Sequence, residues 1–183
     1  MNFELERTRV HIVNVHPRRE LRGDEHVPAV DVKLRLETGN VALSMFDGWL
    51  LTALYHRSGA PADNPQYELD GLPKVTDWPN RRFPAMGPLH WNDEARGYTL
   101  RIDNGIGSVE LDDCAINAFL LECKEGGTVV LTWRVQCDHI DEHAIGRLCC
   151  LIDVDCDVTL VRANDGRREV DGASNETPKS GSA

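Results

Sequence analysis

Apolar and polar residues alternate strictly along several stretches of the chain. In residues 29–37, Val30, Val32, Leu34 and Leu36 fall on one face, and Asp31, Lys33, Arg35 and Glu37 on the other. A period of two with one wet face predicts a half-buried antiparallel strand. Residues 128–137 repeat the pattern, with Val129, Leu131, Trp133, Val135 and Cys137 inward. Residues 147–161 extend it. Leu148, Cys150, Ile152, Val154, Cys156, Val158 and Leu160 share the inner face, and Asp153, Asp155, Asp157 and Thr159 the outer. A strand that long has to bend or bulge. Residues 3–15 add another strand whose alternation slips between Val10 and Val13, which predicts a bulge or a passage between sheets.

Turn residues connect these runs. Asn104-Gly105 predicts a two-residue hairpin, because both positions tolerate positive φ. Residues 124–127 end in two glycines and predict a second hairpin. The C-terminal half then reads as a meander of about five strands, with residues 138–146 as its last turn. One helix is predicted near 44–56, from Ser44 and Asp47 as a capping-box-like start and from Phe46, Leu50 and Leu54 at four-residue spacing. Residues 57–96 form a long loop region rich in proline and glycine, and 163–183 a polar, flexible tail without periodicity. The expectation is one domain over residues 1–162. It is mainly β, an antiparallel two-sheet sandwich or flattened barrel with one short helix.

Composition narrows the function. The 183 residues carry a formal net charge of −10, which opposes generic binding to nucleic acid, since that requires a basic surplus to neutralise phosphates. No apolar run approaches a membrane span, and no secretory leader is visible at the N-terminus. The expected location is therefore the cytoplasm, where the six cysteines would stay reduced. Small basic groups remain at Arg18, Arg19 and Arg22, and at Arg81 and Arg82.

The densest chemistry lies in residues 137–150, with three cysteines and two histidines. Cys137, His139, His143 and Cys149 are the types zinc prefers, but no close two-ligand knuckle such as C-x₂-C is present. The alternation places Cys137, Cys150 and Cys156 on apolar strand faces, where a thiol acts as a small hydrophobe. The metal reading is the lesser alternative, and Cys149 is the expected reactive thiol. The aspartates at 153, 155 and 157 lie along a strand, not in a calcium loop that wraps an ion. His90, Asp93 and Glu94 cluster without any nucleophile motif. No catalytic residue, no resident metal and no cofactor are assigned, and the expectation is a non-enzyme. Candidate binding residues are Arg18, Arg19 and Arg22 with the loop aromatics Tyr67, Trp78, Phe83 and Trp91, which suit stacking or a protein interface if they do not cap the core.

The stretches HPRRELRGDEHVPAVDVKL at 16–34, SMFDGWLLTALY, KEGGTVVLTWRVQC and GRLCCLIDVDCDVTL resemble a group of small accessory proteins of tailed bacteriophages and prophages, over about residues 3–162. The resemblance implies a phage-encoded accessory protein of the bacterial host cytoplasm. Its partner would be a protein in recombination, replication or counter-defence. It brings no catalytic residues. The alternative is single-stranded nucleic-acid binding on a β scaffold. Outward Leu151 and Val161 further suggest a homodimer.

Overall fold

The computed structural model describes residues 1–57 and 77–163. Residues 58–76 of the loop region, with Tyr67 among them, and the tail from residue 164 lie outside the described residues. The strands are β1 (Leu5–Arg22), β2 (Glu25–Gly39), β3 (Tyr55–His56), β4 (Asn80–Arg81), β5 (Leu89–Trp91), β6 (Ala95–Asp103), β7 (Ser108–Cys123), β8 (Thr128–Cys137) and β9 (Asp155–Arg162). The α-helices are α1 (Leu50–Leu54) and α2 (Glu142–Cys149). Strands make up 57% of the described residues, so the fold is mainly β.

Six strands close into one antiparallel barrel. The pairs run β1–β2, β2–β8, β8–β7, β7–β6, β6–β9 and β9–β1. Closure leaves no sheet edge around the barrel wall. β5 adds to β7 outside this ring, and β3 and β4 make a small separate ladder. The expected alternation in β2 holds, with Val30, Val32, Leu34 and Leu36 all buried.

Bulges let these long strands curl. The slip expected between Val10 and Val13 is a register shift between Ile12 and Asn14. β1 serves both neighbours there: residues 5–11 pair with β9, and residues 11–22 with β2. Three further shifts coincide with residues at positive φ, namely Arg7 in β1, Asp113 beside the β6–β7 ladder and Ala118 in β7. An extra residue at each site increases local bend and twist, which closing a barrel requires.

The interior is filled by side chains. Trp133, Tyr98, Phe3, Phe119, Ile12 and Leu34 are fully buried. Phe3 stands at the centre of an aromatic cluster, with ring centroids 5.1 Å from Trp133, 5.3 Å from Phe119 and 5.4 Å from Phe46. Such packing leaves the barrel a solid core.

Three expectations are corrected. The helix expected near 44–56 is a 3₁₀ turn (Asn40–Met45), a break at Asp47 and Gly48, and the short α1. Ser44 does not start a helix. Its hydroxyl donates to Val41 O, and the Asp47 carboxylate accepts from Trp49 N–H. The hairpin at Asn104-Gly105 is a four-residue loop, because Asp103 pairs with Ser108. The long strand expected at 147–161 is two elements. Residues 142–149 are α2, with the Asp141 carboxylate accepting from Ala144 N–H at its N-cap. β9 begins only at Asp155, after a turn through Asp153 at φ 62°. Residues 138–154 are therefore a crossover from β8 to β9, not a hairpin turn.

Candidate binding surface at the plugged end

The two ends of the barrel are built differently. At one end β2 runs out at Gly39, opposite Thr128, and the 3₁₀ turn follows at once. This turn, α1, β3 and β4 form a plug. Asn2 N–H donates to Met45 O, Arg82 N–H to Leu54 O and Gly126 N–H to Pro79 O. The Arg82 Nε donates to Thr52 O and Tyr55 O at 2.8 and 3.0 Å, and Arg81 Nη2 to Phe83 O and Met86 O at 3.2 and 2.7 Å. The two guanidiniums thus staple the plug through backbone carbonyls. No ion pair to either is found among the described residues. Beneath them, burial raises the pKa of the Tyr55 phenol, and its hydroxyl reaches Lys124 O and Thr128 O, both at 2.9 Å.

The plug exposes large apolar side chains. Trp49 is 80% exposed, Val41 63% and Phe83 55%. Trp49 and Val41 come from the segment after β2, and Phe83 from the chain directly after Arg82. Trp78 is half-buried under the Arg57 guanidinium, which lies 5.0 Å from its ring centroid. Trp91 packs inward, with its ring 6.0 Å from Phe46. Of the described loop aromatics singled out in the sequence, Trp91 belongs to the core cap, Trp78 is divided between core and surface, and Phe83 is exposed. Trp49 was missed, because the amphipathic spacing of 44–56 placed it beside the buried face of a longer helix.

The opposite end carries α2 and a protruding ribbon. β1–β9 pairing stops at His11 and β2–β8 pairing at Val30, so the hairpin of residues 14–30 extends beyond the barrel. Arg18 fastens this ribbon. Its Nε donates to Asp31 and its Nη2 to Asp138, both at 2.8 Å, with Glu20 on Nη1. Burial works against the charge of Arg18, but Asp31 and Asp138 hold its pKa above the usual value. Arg18 is thereby committed to carboxylates of its own chain. Arg19 is exposed, and the Arg22 backbone stands opposite that of Glu25 in the ladder next to the ribbon turn. The ribbon arginines and the described aromatics of the named binding set therefore lie at opposite ends of the barrel.

The cysteine and histidine cluster is also dispersed. Cys137 is buried at the end of β8, His139 is exposed, and His143 and Cys149 ride on α2. Among the described residues no three metal-ligating side chains come together. Cys150 is exposed after α2 instead of lining an apolar strand face, and Ile152 and Val154 are exposed too. The row of aspartates is engaged locally: Asp155 with His11 Nδ1 at 2.8 Å, Asp153 with His11 Nε2 at 3.5 Å, and Asp157 with Arg9 at 3.6 Å. His90 is exposed on β5, Asp93 accepts from Glu94 N–H, and Glu94 pairs with Arg96. Leu151 is buried, so the outward patch from which a dimer was expected reduces to Val161. No helix among the described residues is long and apolar enough to cross a membrane. No protein-family model matches the chain, and neither curated proteins nor solved structures give a significant match.

Proposed function

We propose that the protein is a non-catalytic binding protein whose partner is another protein, engaged through the plugged end of the barrel. The observation that carries this reading is the exposure of Trp49, Val41 and Phe83 on a plug held rigid by Arg81 and Arg82. Large apolar side chains on a rigid frame, rimmed by polar groups, are the usual anchors of a protein interface. Arg81 and Arg82 lack carboxylate partners among the described residues, so the surface suits a partner that brings carboxylates to its rim. The phage setting, with a partner in recombination, replication or counter-defence, rests on the resemblance of residues 16–34 and the later strand motifs.

The test is capture from bacterial lysate by the intact protein and by the Trp49→Ala/Phe83→Ala variant, side by side. A stoichiometric protein held by the first and lost by the second is expected. Equal capture by both, or no stoichiometric partner even at low salt, would defeat the reading. The nucleic-acid alternative would have to use Arg57, Arg81 and Arg82 beside these aromatics, against the net charge of −10. Anisotropy of a labelled oligonucleotide decides it, because binding through phosphates must weaken steeply as salt rises.

A further inference from the structure

Cys114 and Cys137 lie one step beyond the last pair of the β7–β8 ladder. The pairs Asn117 with Arg134, Ile116 with Val135 and Ala115 with Gln136 lead, one step on, to Cys114 opposite Cys137. Directly opposed residues of antiparallel strands have Cα atoms about 4.5–5.5 Å apart, inside the range of about 4.4–6.8 Å that a disulfide spans. Both side chains point into the core, and both thiols are buried. They share one acceptor: the Asp112 carbonyl lies 3.8 Å from Cys114 Sγ and 3.5 Å from Cys137 Sγ. Cys114 Sγ also reaches Leu111 O at 3.4 Å, and Cys137 Sγ reaches His139 O at 3.2 Å.

We propose that Cys114 and Cys137 are a covalent modification site, a cross-strand dithiol that hydrogen peroxide converts to a disulfide. The two sulfurs hold distinct roles. The hydrogen bond from Cys114 lowers the Cys137 pKa to about 7, while the same contact and burial raise that of Cys114. Cys137, at the end of β8 where the chain leaves the barrel wall, is the nucleophile, and Cys114, within β7, the resolving thiol. In the first step the Cys137 thiolate attacks one peroxide oxygen, the O–O bond breaks, and hydroxide leaves to take up a proton as water. In the second, Cys114 sulfur attacks the Cys137 sulfenic sulfur, the S–O bond breaks, and the hydroxyl leaves as water with the Cys114 proton. Two thiols and one peroxide give one disulfide and two waters, so two electrons pass from sulfur to oxygen. Peroxide is close to water in size, which suits a buried pair where the chain leaves β8. The bond would tie the start of the α2 crossover to the β6–β7 hairpin.

The test treats the intact protein with hydrogen peroxide, blocks remaining thiols under denaturing conditions and maps tryptic peptides without reduction. Peptide 102–124, which carries Cys114 and Cys123, should be joined to peptide 135–147, which carries Cys137. The joined mass should be about 2 Da below the sum of peptide 135–147 and peptide 102–124 blocked once, at Cys123. In Cys114→Ser the link should vanish and a sulfenic-acid trap should label Cys137. Three results would each overturn the proposal: both thiols blocked as free thiols while exposed Cys150 is oxidised, a link that persists in Cys114→Ser through Cys123, or sulfinic acid at Cys137 in the unmodified sequence.

Discussion

Tyr55 and Tyr98 are both fully buried phenols that meet different surroundings. The Tyr55 hydroxyl lies between two backbone carbonyls, Lys124 O and Thr128 O, and so ties the plug to the β7–β8 turn. The Tyr98 hydroxyl is buried without a hydrogen-bond partner among the described residues. An unpaired buried hydroxyl loses its hydration and receives nothing in return, whereas a paired one contributes a net gain. Tyr55→Phe should therefore cost about 1 kcal/mol. Tyr98→Phe should be neutral or stabilising by up to about 1 kcal/mol, because it deletes only the orphaned oxygen. Urea unfolding of the two variants checks both signs, and a Tyr98→Phe loss as large as that of Tyr55→Phe would contradict the assignment.

At the scale of elements, α2 is the clearest departure from what alternation implied. Residues 148–160 can be read with a period of two, and that reading hid the helix. A second signal was present: Asp141 and Glu142 at a start, then Ala144, Ile145, Leu148 and Leu151 at helical spacing. The helix prevails because Leu148 and Leu151 both reach the core that way. The shortness of α1 has the opposite cause. Phe46, Leu50 and Leu54 keep helical spacing, yet the chain breaks at Asp47 and Gly48 so that Phe46 can join Phe3 and Phe119. β2 and β8, by contrast, were legible residue by residue, since each has a dry and a wet face. The closed barrel was not separable from a sandwich, because both use alternating strands. The bulges that curl this one include Arg7, Asp113 and Ala118 at positive φ, residue types that do not advertise it. Removing the α2 cap with Asp141→Ala should cost about 1 kcal/mol in denaturant unfolding. A stability within error of the parent protein would mean that residues 141–149 are not held as a capped helix.

The whole molecule is a solid barrel with two unlike ends. Its first and last strands close it, since β1 pairs with β9, and the core holds packed aromatics where a ligand would otherwise sit. Arg18 and Arg19 on the ribbon and Phe83 on the plug were candidates in the sequence, but their separation was not legible there, and Trp49 was not among them. Residue type indicates stacking or charge, while only the strand order reveals that the ribbon and the plug point away from each other. Amide hydrogen exchange with and without the captured partner tests this account most directly. Slower exchange confined to residues 40–56 and 78–91, with the ribbon at 14–30 unchanged, is the predicted result. Protection on the ribbon or across the outer face of β9, with the plug unaffected, would contradict it.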